Sequence, residues 1–179
     1  MNAERVRIQT LHWIETIVIG LDLCPFARRS IDAARLRVEV SDVSSEGELA
    51  NLFVAELRHL ESTAGANLDS TLIVHPLVFQ DFIDFNDFLG VAEALLEAEG
   101  FQEKFQIASF HPDYRFEGAD PDAIGNFTNR SPHPMLHLLR ESSVSRAVDA
   151  HPDPESIPTV NITRLEALGM PALRRLLDS

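Results

Sequence analysis

The chain holds a single cysteine, Cys24, and a single lysine, Lys104, among 179 residues. One cysteine excludes an internal disulfide framework and any zinc site built from several thiolates. Basic charge is scarce: 15 Lys and Arg face 28 Asp and Glu, a net charge of −13. Nucleic acid and anionic membrane surfaces both demand a basic face, so neither is expected as a partner. No apolar run approaches the roughly 20 residues that cross a bilayer. Glu4, Arg5 and Arg7 lead into a stretch broken by Glu15 and Asp22, which is no secretory leader. These absences together lead us to expect a reduced, cytoplasmic protein. Also missing are a glycine-rich phosphate loop, a Gly-x-Ser-x-Gly elbow and a dinucleotide fingerprint, so no cofactor is named by motif.

What is present suits one α/β domain over residues 1–179, with 45% hydrophobic residues and 24% charged ones. Leu11, Ile14, Ile17, Val18 and Leu21 follow helical spacing. Leu36 to Val40 alternates like a half-buried strand. Ser45 and Glu48 form a capping box ahead of a stripe of Leu49, Leu52, Phe53, Leu57 and Leu60. Thr71 to His75 is a short apolar strand that Pro76 ends. Phe85, Phe88, Leu89, Ala92, Leu95 and Leu96 line the next helix, and Gly100 suits a left-handed cap. Phe105 to Phe110 is the third strand, again followed by His-Pro. The expected fold is therefore a small, mainly parallel sheet with a β-α-β-α-β core, an N-terminal helix and a helical C-terminal tail. The tail is read as helices over Pro134–Arg140, Ser142–Ala150 and Pro158–Leu168. Three strands make a small sheet, so a fourth drawn from an irregular segment would fit.

His75-Pro76 and His111-Pro112 occupy equivalent places just past two buried strands. If those strands are parallel, both imidazoles emerge at the carboxyl edge, where α/β sheets open their ligand crevices. There they can serve acid/base work or hold a substrate, or simply cap the sheet edge. Asp113 and Arg115 follow at alternating positions, suiting Asp113 to orient a histidine and Arg115 to bind an anion. Asn129 and Arg130 precede a stiff Ser-Pro-His-Pro run that leads into the expected helix at Pro134, a second place for a carboxylate or phosphate. His133 and His137 share helical i, i+4 spacing, as in many zinc sites, although His133 lies between prolines. His137 also has apolar neighbours that suit a half-buried polar contact. Asp81, Asp84 and Asp87 resemble a metal cluster on paper but suit the dipole of a helix start. Cys24 beside Pro25 and Phe26 reads as a buried thiol, with Arg28 and Arg29 near enough to activate it.

Cys24-Pro-Phe, Phe85-Asn-Asp-Phe-Leu, Gln106-Ile-Ala-Ser-Phe-His-Pro-Asp-Tyr and Asn129-Arg-Ser-Pro followed by Pro134-Met-Leu-His-Leu-Leu-Arg-Glu are specific strings. Together they resemble a bacterial family, domain of unknown function 1415, over nearly the whole chain. The resemblance implies a single-domain bacterial protein and supplies no activity. The leading expectation is an enzyme or binder for a small polar or anionic ligand. His75, His111 and Asp113 would be its reactive groups, with Arg115, Asn129, Arg130 and His137 holding the ligand. The alternatives are a metal- or haem-dependent protein with His111 as a ligand, and a non-catalytic interaction protein using the Phe79, Phe82, Phe85 and Phe88 series. Neither a metal nor an oligomeric state is specified by any of these residues.

Overall fold

A computed structural model describes residues 2–24 and 26–177. Its elements in chain order begin with α1 (Ala3–Trp13), which runs on as a π-helical turn (Ile14–Ile19). There follow α2 (Ala27–Asp32), β1 (Leu36–Val40), α3 (Glu46–Ser62), β2 (Ser70–Val74), α4 (Phe82–Ala98) and β3 (Phe105–Phe110). After a 3-10 turn at Ile124–Thr128 come β4 (Met135–Arg140), α5 (Glu141–Asp149), α6 (Ile157–Leu168) and α7 (Met170–Leu177).

The class is α/β, but the sheet is mixed and not mainly parallel. Strand order is β1-β2-β4-β3. β1 and β2 pair in parallel, whereas β4 lies antiparallel between β2 and β3. The segment expected as a helix over Pro134–Arg140 is this fourth strand. Pro134 resembles the first residue of a helix, and Met135, Leu136, Leu138 and Leu139 resemble a helical stripe. Both faces of the sheet are covered, however, so a central strand can be apolar on both sides and need not alternate. Leu136 and Leu138 go into one core, Met135 into the other.

Those two cores make three layers. On one face α3 and α4 pack Leu49, Phe53, Leu57, Phe85, Phe88 and Leu96 onto Ile73, Leu136 and Leu138. On the other, Val6, Trp13, Ile14 and Ile17 cover Val38, Leu72, Val74 and Met135, with Leu165 and Leu173 closing the end. The alternation of Leu72 and Val74 against Ile73 is the period-two pleat distributing one strand between two cores.

Local signals account for the element boundaries. Ser45 Oγ accepts from the Glu48 amide while Glu48 Oε2 accepts from the Ser45 amide, which completes the capping box. Asp81 caps α4 by accepting from the amides of Ile83 and Asp84. That gives the first of the three aspartates a structural task, and no cluster of three metal-ligating side chains occurs among the described residues. Gly100 takes φ +72°, the left-handed cap that glycine adopts most cheaply. A Cβ on Gly20 would collide with the Thr16 carbonyl oxygen just past the π-turn, so that wide turn closes only on glycine. Among the described residues no helix is long and apolar enough to cross a membrane.

Candidate functional site

β1, β2 and β3 run in one direction, so β2 and β3 deliver His75 and His111 to the same edge of the sheet. Both residues are fully buried. The Phe85 ring lies between them, its centroid 5.7 Å from the His75 ring and 5.2 Å from the His111 ring. The Asp113 amide donates to His111 Nδ1 at 3.0 Å, so Nε2 carries the proton and donates to the Phe79 carbonyl at 3.1 Å. Phe79 is held at φ +56°, an uncommon conformation for a bulky residue, in presenting that carbonyl. Burial lowers the pKa of His111. His75 Nδ1 lies 3.3 Å from the Val78 carbonyl, and burial drives its pKa down to about 4. Its Nε2 is buried without a hydrogen-bond partner among the described residues.

The remaining residues expected at this edge are tied to main chain. Arg130 donates from Nε to the Tyr114 carbonyl and from Nη2 to the Pro121 carbonyl, with its guanidinium 4.3 Å from the centre of the Phe127 ring. Asn129 Nδ2 donates to the Ser109 carbonyl, and its Oδ1 accepts from Thr128 Oγ1. Asp113 meets His111 through its amide, while the residue itself is exposed, as is Arg115. The 129–134 segment enters β4 directly across the edge. The His75 amide donates to the Pro134 carbonyl and the His111 amide to the Asn129 carbonyl. Chain therefore occupies the place where a crevice between β2 and β3 would open.

His137 is set apart from this group. It pairs with Leu72 and Ala108 in mid-sheet and shares its face with Met135, turned toward α1. There it lines a cavity of about 220 Å³. The floor is Leu72, Leu139 and Phe110; Trp13, Ile14 and Val18 cover it from α1 and the π-turn; Ile31 and Val144 flank it from α2 and α5. Such turns recur beside functional sites because the extra residue re-aims the side chains around it. His137 Nε2 is buried and has no hydrogen-bond partner among the described residues, and burial lowers its pKa to about 4. The imidazole is consequently neutral at physiological pH, a hydrogen-bonding group and not a cation. Gln106 and Ser70 are the other polar residues that the sheet gives the cavity, and the Gln106 amide nitrogen donates to Glu141. Cys24 lines the wall, and burial raises its pKa, so the thiol stays protonated and is not an activated nucleophile.

Three other cavities are larger; in two of them, of about 450 and 400 Å³, the polar residues named next are already engaged. Arg130 borders the first, and Asn129 and Asn161 the second, each bonded to a carbonyl. His133, expected as a partner of His137, instead meets Gln9 at 3.1 Å. Because residues 135–140 are a strand, helical spacing does not relate the two histidines.

Gln106 and the α2 and α5 walls were not anticipated from the sequence. The usable signal was a polar residue inside an otherwise apolar strand, as in Phe105-Gln-Ile and Leu136-His-Leu. With both sheet faces covered, such a residue is at least half-buried, and any polar atom it buries then needs a partner.

The family described as Protein of unknown function (DUF1415) matches residues 5–175, and the chain belongs to it. No curated protein and no solved structure matches the chain.

Proposed function

We propose that this member of the family binds a small molecule in the cavity over the sheet, with the apolar walls taking the ligand's body and His137 bonding to a polar group on it. The observation that carries the reading is the unpartnered, buried Nε2 of His137 on the wall of an apolar cavity. Leaving a buried polar atom unbonded costs about 1–3 kcal/mol. A few polar groups converging in an apolar recess is the usual composition of a ligand pocket. The size fits a small ring or short chain, since a cavity of about 150 Å³ already accepts benzene. On this reading the site sits on the sheet face. His75, His111, Asn129 and Arg130 form the framework of the edge, Asp113 contributes its amide to that framework, and Arg115 lies in an exposed loop away from the ligand.

Titration with octanol and indole, followed by the ring NMR signals of His137 and by thermal unfolding, tests the proposal. Binding should move the His137 signals and raise the melting temperature, as any ligand specific to the folded state does. Ala147→Phe, which fills the cavity from α5, should abolish both effects. Equal binding to wild type and the filled variant, or no binding to either, would overturn the reading.

A further inference from the structure

The apolar cavity shares a wall with a second cavity of about 270 Å³ whose character is the reverse. Phe26, Ser30, Asp69, Ser143 and Ala147 border both. Arg29, Arg35, Arg146 and His151 complete the second one. It lies where β1 and β2 begin, the edge opposite His75 and His111. Three guanidinium groups around one recess is an unexpected concentration in a chain carrying a net charge of −13.

Among the described residues Asp69 is the only carboxylate there, and its bonds are already allotted. Its side chain is 7% exposed, accepts from Ser143 Oγ at 2.8 Å and from Ser30 Oγ at 3.4 Å, and pairs with Arg35 Nε at 3.1 Å. Asp69 thus ion-pairs with Arg35 Nε, which makes no well-formed hydrogen bond among the described residues, and Arg35 borders the cavity. Arg146 donates to Ser143 Oγ at 2.9 Å and stands 3.9 Å from Asp69. Arg29 is exposed at the end of α2. His151 Nδ1 accepts from the Asp153 amide, so its Nε2 is a donor. Its ring meets Phe26 edge-on at 6.2 Å, and Phe26 stands on the shared wall. After Asp69 is counted, donors and positive charge remain in excess, the pattern that recognises carboxylate or phosphate.

We infer, building on the pocket reading above, that the ligand is a small amphipathic anion. Its apolar body lies in the cavity over the sheet, where His137 bonds to a polar group on it, and its carboxylate or phosphate head lies among Arg29, Arg35 and Arg146. Taken together, the two cavities reach the roughly 300–1,000 Å³ usual for small-molecule sites, which neither reaches alone.

Octanoate, octyl phosphate, octanol and inorganic phosphate are the probes, titrated calorimetrically against the full chain at low and high salt. At low salt at least one of the two chain anions should bind about tenfold tighter than octanol. That advantage should shrink at high salt because the arginines are partly exposed. In the Arg29→Ala/Arg146→Ala double variant it should vanish while octanol binding stays unchanged. Arg29→Gln alone, at an exposed position, should lose part of it and serves if the double variant does not fold. The tighter of the two chain anions tells a carboxylate head from a phosphate one. Octanol equalling both anions, or an anion preference that survives the double variant, overturns the inference but leaves the pocket standing. Octyl phosphate and octanoate no tighter than inorganic phosphate would show a head site uncoupled from the apolar cavity, which also overturns it. Failure of octanol and both chain anions to bind would remove the pocket reading as well.

Discussion

Acidification should begin to destabilise this protein well above the pH at which its carboxylates titrate, and His75 and His137 should be the cause. Both are neutral in the folded chain, His75 fully buried and His137 half-buried with its Nε2 covered, and their pKa values are pushed from 6.5 down to about 4. In the unfolded chain each titrates near 6.5. Between these limits the unfolded state binds more protons, so stability is fully present above pH 6.5 and is lost as pH falls toward 4. At about 1.4 kcal/mol per unit of pKa difference, each histidine costs roughly 3 kcal/mol by the acid end. His137 gives less, because its residue surface is only partly covered. The sum is comparable with the roughly 5–15 kcal/mol that holds a typical domain folded. General electrostatics pull the other way: approaching the isoelectric point near 4.8 relieves the repulsion of a −13 chain. The sign of the effect therefore separates the two causes. Urea unfolding measured from about pH 7.5 down to about pH 5 should show stability flat at first and then falling. The slope should approach about 1.4 kcal/mol per pH unit for each histidine. The His75→Phe/His137→Leu variant should lose most of that slope, whatever its absolute stability. Stability that holds or rises toward pH 5, or a double variant that falls as steeply as wild type, would refute the reasoning.

Three further outcomes separate ligand contact from framework and from exposed surface. His137→Leu removes an unpartnered buried nitrogen from an apolar wall, so it should raise stability near neutral pH by about 1–2 kcal/mol while weakening octanol and octanoate binding; chemical denaturation and calorimetry on one preparation read both. Arg130→Ala breaks two main-chain bonds and the contact with Phe127, and should cost about 1–3 kcal/mol without changing affinity for the pocket ligand. Arg115→Ala, at an exposed position, should stay within about 0.5 kcal/mol of wild type.

Much of the fold was legible because its signals are local. The capping box at Ser45 and Glu48, the stripe from Leu49 to Leu60, and Gly100 as a left-handed cap each depend on residues within a few positions. The three parallel strands were legible for the same reason, each a short apolar run bounded by turn residues. β4 was not, since what makes Met135 to Arg140 a strand is the pair of unsatisfied edges that β2 and β3 offer, a long-range condition that no window of its own sequence contains.

On the proposed reading, that one difference also moves the site. In an open parallel sheet the gap beyond β2 and β3 would be a crevice, and histidines at its two lips would face a ligand. Here β4 fills the gap between the strands, and the segment leading into it bonds to the amides of His75 and His111. The crevice is replaced by chain, and the residues aimed at it turn to caps and braces. The same register carries His137 to mid-sheet on the opposite face, where a helical reading would have stacked it one turn from His133. The sequence pattern Leu136-His-Leu then takes on a different meaning. In a helix it is a polar residue on a flank, free to reach solvent; in a central strand covered on both sides it is a polar group obliged to be buried. An imidazole nitrogen that has lost its solvent and gained no partner among the described residues is the observation on which the proposed pocket rests.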